Sequence, residues 1–159
     1  MTDGLIPSRM EKTKMKVNFK KLNESAIVPA YASKNAAGAD LYNLPDTQVS
    51  VPPHKTVLIH TGIAMEIPEG YCGLIFARSG LATKRGLAPA NKVGVLDADY
   101  RGEIMVALHN HTDELAVVDA GERVAQLVIM PYIAAELCEC EELSDTERGC
   151  GGFGSTGTK

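Results

Sequence analysis

The sequence has no tryptophan, only three phenylalanines and five tyrosines, and no apolar run of membrane-spanning length. A basic excess is missing as well: 16 Lys and Arg stand against 20 Asp and Glu, for a formal net charge of −4. Surfaces that hold nucleic acid or an acidic membrane are built on such an excess, so both partner classes are excluded and any phosphate recognition must be local. Four cysteines, Cys72, Cys138, Cys140 and Cys150, lack the paired spacing of a zinc framework and are expected to stay reduced, as in a cytosolic setting. The opening "MTDGLIPSRMEKTKMK" has no apolar core of a secretory signal. A soluble, intracellular, cytoplasmic protein is expected, with an organelle or the nucleus left open. Neither GxxxxGK[ST] nor a GxGxxG opening a long helix occurs, which removes two common nucleotide-binding frameworks.

What is present is a chain of 159 residues, 45% hydrophobic, long enough for one well-buried core and too short for two typical domains. Short runs rich in Val, Ile, Leu and Tyr recur: "MKVNFKKL", "ADLYNL", "TQVSV", "KTVLIHTGIAMEI", "YCGLIFA", "NKVGVL", "EIMVALHN", "LAVV", "ERVAQLVIMPYI" and "AELCECEEL". Turn signals such as "VPP", "IPEG", "RGLAPAN", "DADYRG" and "DAG" separate them. This punctuation predicts an all-β fold, a jelly-roll-like β-sandwich or barrel, with Val17/Phe19 and Val106/Leu108 alternating toward a core. "SGLATKRG" predicts one short helical turn with Ser79 as N-cap and Gly86 beyond its end. The expected organisation is a disordered leader over 1–16, a β-domain over 17–143 and a flexible glycine-rich C-terminal tail over 144–159.

Four stretches carry residue types suited to chemistry. "ARSGLA" (77–82) follows an apolar strand and offers the Arg78 guanidinium, the Ser79 hydroxyl and the Gly80 N–H, the donor set of an anion site; an ordinary surface loop is the alternative. In "NKVGVLDADYRGE" (91–103), Asp97 and Asp99 follow a strand and precede a Tyr-Arg-Gly turn, so a carboxylate can be held over a ligand or simply solvated. In the same stretch Tyr100 can be a core ring or a platform under a sugar, and Asn91 can cap a turn or read a base edge. "ALHNHTDE" places His109 and His111 on one face of a strand, but no histidine follows to complete a cupin-like metal set. The tail "RGCGGFGSTG" (148–157) combines five glycines with Arg148, Phe153, Ser155 and Thr156, which allows either a frayed end or a lid.

Taken in order, "AAGADLY" (36–42), "ARSGLA", "NKVGVLDADYRGE", "GERVAQLV" (121–128) and "RGCGGFGSTG" resemble the five motifs of trimeric dUTPase, from about residue 17 to the end. Cys150 stands where that family carries a small polar or acidic residue and Leu96 where Ile is usual; neither side chain is expected to enter the chemistry. The resemblance implies a β-jelly roll and hydrolysis of dUTP to dUMP and pyrophosphate, which limits uracil incorporation into DNA and supplies dUMP for thymidylate synthesis. It implies Asp97 as the base for water attack on the α-phosphorus, and Arg78, Ser79, Gly80 and Gln126 as the triphosphate cradle. Asn91 with the backbone of Gly94, Val95 and Leu96 would read uracil, Tyr100 would lie under the deoxyribose, and Met105 would contact the ligand nearby. Phe153 would stack on the base while Arg148, Gly154, Ser155 and Thr156 close over the phosphates. Mg²⁺ is expected on phosphate oxygens without a direct protein ligand, with Asp40 acting through water or ordering its loop. A homotrimer with shared active sites is implied. Two alternatives share the fold: a dCTP deaminase, which needs a water-activating group at the base, and a nucleotide-binding protein that uses the ligand as a signal.

Overall fold

The computed structural model describes residues 15–152. Among these the strands run, in chain order, β1 Asn18–Lys21, β2 Ala30–Tyr31, β3 Ala39–Tyr42, β4 Val49–Val51, β5 Thr56–His60, β6 Ile63–Glu66 and β7 Tyr71–Phe76. They continue, after the helix α1 Ser79–Arg85, with β8 Leu87–Pro89, β9 Gly94–Leu96, β10 Met105–Asn110, β11 Ala116–Val118 and β12 Arg123–Pro131. The chain forms a jelly-roll-like β-sandwich. One sheet has the order β2-β3-β12-β7-β9 and another β5-β10-β8, with the pairs β1-β6 and β4-β11 beside them. No helix among the described residues is long and apolar enough to cross a membrane.

Period-two alternation fixes the layers. In β10, Val106, Leu108 and Asn110 are buried while Met105, Ala107 and His109 are half-buried. Leu41, Ile75 and Leu127 from the five-stranded sheet join Ile59, Val106 and Leu108 from the three-stranded one in a single core cluster, with Leu81 of α1 sealing it. Burying each such side chain contributes about 1.5–3 kcal/mol, which is why the alternation dictates register. Asn110 is fully buried because its amide is satisfied: Nδ2 donates to the Val51 and Glu114 carbonyls, and Oδ1 accepts from the Thr112 N–H and hydroxyl.

Several sequence expectations need correction. "KTVLIHTGIAMEI" is two strands, because Gly62 adopts φ +67° and the chain turns there: β5 pairs with β10, whereas β6 pairs with β1. "RGLAPAN" contains β8, which hydrogen-bonds to β10 through Leu87–Pro89. "AELCECEEL" forms no strand; residues 132–146 are exposed and pair with nothing regular, and Cys138 and Cys140 are exposed with them. Phe19 is half exposed rather than core, since β1 pairs only with β6. Arg78, not Ser79, is the N-cap of α1, and Ser79 is its first helical residue. Gly86 does end the helix in the left-handed region, donating its N–H to the Ala82 carbonyl.

The Gly62 turn is sterically closed to other residues. A Cβ there would lie 2.8 Å from Leu44 Cδ2 and 2.9 Å from the Ala26 Cβ. Gly62→Ala should therefore lower stability by about 1–3 kcal/mol, combining the positive-φ penalty with overpacking. Denaturant unfolding with an unchanged midpoint would contradict this.

Candidate active site

Two groups of polar residues flank β7. The first lies where β7 runs into α1. Asp40, central in β3, is buried at 7% exposure, and an isolated carboxylate there would be costly. It is neutralised by two guanidiniums: Arg78 Nε donates to Oδ1 at 2.8 Å and Arg123 Nη1 to Oδ2 at 3.1 Å. Among the described residues the only other Arg78 side-chain bond is a long 3.5 Å contact from Nη1 to the Arg123 carbonyl.

Beside this triad, Gln126 Nε2 donates to the Ala77 carbonyl at 2.9 Å. Gly38 gives Gln126 its room, since a Cβ at Gly38 would lie 2.7 Å from Gln126 Oε1 and 3.1 Å from its Cβ. Gly38, Asp40, Phe76, Arg78, Ser79, Gly80 and Gln126 line an open cavity of about 570 Å³ together with Val128 and small alanines. No side-chain bond caps the start of α1 at Arg78. A Cβ at Gly80 would meet nothing within 4 Å, so packing does not require glycine there. The cavity thus has the Arg78 guanidinium, a hydroxyl, an amide and a first-turn helix N–H, a donor set suited to an oxyanion.

The second group follows β9, the sheet edge strand beside β7. Gly94 is buried against Ile75, and the Asn91 amide nitrogen lies over it, 3.3 Å from where a Cβ would stand. Lys92 holds a positive φ of 65° in the turn between them. Val95 is exposed and Leu96 half-buried. Asp97 is exposed, and among the described residues its carboxylate has no hydrogen-bond or ion-pair partner. Asp97 lines a second cavity, also about 570 Å³, with Ile67, Glu69, Asp99, Arg101 and Tyr132. Tyr100 is 41% exposed; its hydroxyl donates to the Glu103 carbonyl at 2.9 Å and its ring covers Gly102, where a Cβ would come within 2.6 Å of Cζ. Met105 opens β10 opposite His60, half-buried.

The structure therefore brings Asp40, Arg78, Ser79, Gly80 and Gln126 together, and separately places Asn91, Gly94, Val95, Leu96, Asp97 and Tyr100 on β9 and the turns flanking it. It does not join the two groups. Arg148 is exposed in a turn, its Nε donating to the Gly151 carbonyl at 2.8 Å. Phe153, Gly154, Ser155 and Thr156 lie outside the described residues, as do residues 1–14 of the expected leader. Sequence reading missed Arg123, Gly38, Gly102 and Glu103. Arg123 sits in "GERVAQLV", but nothing in spacing ties it to a carboxylate 83 residues away.

His109 and His111 meet with ring centroids 4.5 Å apart, His109 Nδ1 lying 3.0 Å from Thr56 Oγ1. His111 follows the end of β10 rather than belonging to it. Its imidazole titrates below the ordinary histidine range through lost hydration, and further through the neighbouring His109, Lys92 and His54. Among the described residues no three His, Cys, Asp or Glu side chains converge on a metal position.

Comparison with known proteins places this geometry in context. The family model described as dUTPase matches residues 24–157. The deoxyuridine 5'-triphosphate nucleotidohydrolase of Nautilia profundicola is 53% identical over 143 residues, 90% of this chain and 99% of that protein. A mutant dUTPase of Staphylococcus bacteriophage 80alpha, solved with dUpNHpp, superposes with a TM-score of 0.82 at 31% identity, covering 91% of this chain and 100% of that one. A mutant dUTPase from phage phi11 of S. aureus, described with a structural Mg(II) ion, superposes with a TM-score of 0.72 at 28% identity, over 80% of this chain and 98% of its own.

The Asp40 triad can be measured directly. Arg78 is 28% exposed and Arg123 47%, so solvent screens the second pair more. A double-mutant cycle of Asp40→Ala with Arg78→Ala should give a coupling of about 1–2 kcal/mol, and the cycle with Arg123→Ala less than about 1 kcal/mol. Additive effects in both cycles would show that Asp40 does not tie the arginines.

Proposed function

The chain belongs to the dUTPase family, and from that premise we propose how it works: it hydrolyses dUTP to dUMP and pyrophosphate by attack of water on the α-phosphorus. The observation that carries the reading is the coexistence of an oxyanion cradle at Arg78, Ser79, Gly80 and Gln126 with an unpartnered carboxylate, Asp97, in the turn after β9. Asp97 accepts the proton of the attacking water, for which a carboxylate free of ion pairs is suited. Arg78, the Ser79 hydroxyl, the Gly80 N–H and Gln126 hold the triphosphate oxygens, and Arg123 adds a second guanidinium at the edge.

The base is read by β9 and the turn before it. The Asn91 amide, held over Gly94, offers both a donor and an acceptor, and the backbone of Gly94, Val95 and Leu96 supplies the rest of the uracil edge. Cytosine would present donor and acceptor exchanged and leave these groups unpaired, and a close backbone wall leaves no room for the thymine methyl. Tyr100 lies under the deoxyribose and refuses a 2′-hydroxyl, with Met105 beside the ligand. Arg148 with Phe153, Gly154, Ser155 and Thr156 closes over the bound nucleotide as a lid.

Mg²⁺ fits this site as a passenger of the triphosphate. Both oxygens of Asp40 are engaged by arginines, so that carboxylate would reach a metal only through water. When bound, the ion neutralises charge on the phosphate oxygens.

The two halves of the site come from different subunits of a homotrimer. In the β7–β9 register Leu96 faces Gly73, which puts Asp97 beside Cys72, while Gln126 faces Phe76 and Arg78 lies two residues further on. From Cys72 to Phe76 is about 13 Å of extended chain, and β9 and β12 are two strand spacings, about 10 Å, apart. An attacking water must sit about 3 Å from both base and phosphorus. The separation supports a neighbour's Asp97 meeting this chain's cradle, in a closed symmetric ring that repeats the contact at each site. The outward face of the three-stranded sheet, with half-exposed Leu58 and partly exposed Met105 and Ala107, supports a further copy packing there.

Pyrophosphate release with Mg²⁺ should be at least about 100-fold faster per kcat/KM for dUTP than for dCTP, dTTP or UTP, the range a polar-group pocket delivers. Comparable turnover of dCTP or UTP would defeat the proposed pocket. Asp97→Asn should keep nucleotide binding while lowering kcat by at least about 10²-fold. A kcat within a few-fold of the parent would remove Asp97 from the role of base.

A further inference from the structure

Glu103 lines neither of the two cavities, yet three of its groups are committed. Its carboxylate accepts the Gly62 N–H on Oε1 at 2.8 Å and meets His60 Nδ1 on Oε2 at 2.8 Å, and its carbonyl receives the Tyr100 hydroxyl. The next residue is docked to the same place: Thr61 Oγ1 donates to the Ile104 carbonyl at 2.6 Å and the Ile104 N–H donates to Ile63 at 2.8 Å. Residues 103 and 104 are thus riveted to the β5–β6 junction, whose Gly62 is itself fixed by its closed turn.

The segment before them is braced only within itself. The Tyr100 N–H donates to the Asp97 carbonyl, and Arg101 Nη1 donates to the carbonyls of Ala98 and Tyr100. The other outward link among the described residues is a loose 3.8 Å approach of Arg101 to Glu66, with both side chains more than half exposed. A ring 41% exposed has other staggered wells within reach. What selects the observed one is the hydroxyl bond to the Glu103 carbonyl and the space left by Gly102.

We propose that Glu103 is a positioning residue for sugar discrimination: by clamping its own backbone to the Gly62 turn, it fixes the carbonyl that holds Tyr100 and so the ring face offered to the sugar. This rests on the reading of Tyr100 as the floor under the deoxyribose. Glu103 itself touches no substrate.

The readout is the ratio of kcat/KM for dUTP to that for UTP, measured on the full chain for Glu103→Ala, Glu103→Gln, Tyr100→Phe and Tyr100→Ala. Glu103→Ala should lower the ratio about five- to ten-fold, the scale of one coupled contact. Tyr100→Phe, which removes only the hydroxyl link, should lower it to a similar degree. Glu103→Gln should restore it, because the amide oxygen still accepts the Gly62 N–H and the amide nitrogen can donate to a neutral His60. Tyr100→Ala should give the largest loss. If Tyr100→Ala leaves the ratio unchanged, the reading of Tyr100 fails. If Tyr100→Ala lowers it while Tyr100→Phe and a folded Glu103→Ala do not, the role of Glu103 alone is overturned. Loss in Glu103→Gln equal to that in Glu103→Ala would overturn it too, since charge rather than geometry would then be responsible. Should Glu103→Ala not fold, the Tyr100→Phe and Glu103→Gln ratios decide by the same criteria.

Discussion

An extended strand cannot bring its own ends together, and β7 carries the oxyanion cradle beyond Phe76 and, through its pairing with β9, the Asp97 turn beside Cys72. The register is not adjustable. Gly73, Ile75 and Leu127 are locked by the core, and a slip of one residue would turn every buried side chain to solvent. In the proposed trimer, the sandwich supplies two rigid half-sites at a fixed spacing, and assembly unites them. Rigidity within each half is what makes such a division workable, because a base and a cradle meeting across an interface gain nothing if either is loose.

Each half is stiffened by a polar group that does not itself meet the substrate's reacting atoms. Asp40 holds positive charge in place on an acidic protein: one buried carboxylate ties two guanidiniums, Arg78 at the cavity and Arg123 beside it, while the chain carries a net charge of −4. On the other half, Glu103 ties the turn after β9 to the Gly62 turn. In both cases a glycine clears the way, Gly38 for Gln126 and Gly102 for the Tyr100 ring. Loss of a Cβ at these two positions is a packing requirement rather than a demand for flexibility.

Much of this was legible before any coordinates. Alternation at Val106 and Leu108 reported a buried face, since period two survives only where one side meets a core. Arg78, Ser79, Gly80 and Gln126 were legible as a set because "ARSGLA" and "GERVAQLV" keep motif spacing. Other features escaped because they depend on tertiary partners. "AELCECEEL" alternates well enough to be a strand but finds no neighbour to pair with, and the apparent single run through Thr61 hides a positive φ at Gly62. Arg123 and Glu103 escaped for the same reason: their roles lie in contacts with Asp40 and Gly62, 83 and 41 residues distant, which no local pattern encodes.

The division of the site between subunits is tested most directly by mixing two separately impaired proteins, Asp97→Asn and Arg78→Ala, and allowing their subunits to exchange. If each site draws its cradle from one chain and its base from another, random assembly at equal amounts makes about one site in four whole, with Arg78 from the first variant and Asp97 from the second. dUTP hydrolysis should then rise well above that of either parent, toward a quarter of the unmodified enzyme. If one chain supplies both groups, no mixed site is whole, and activity that stays at the parental level after exchange is confirmed by mass labelling would contradict the shared site.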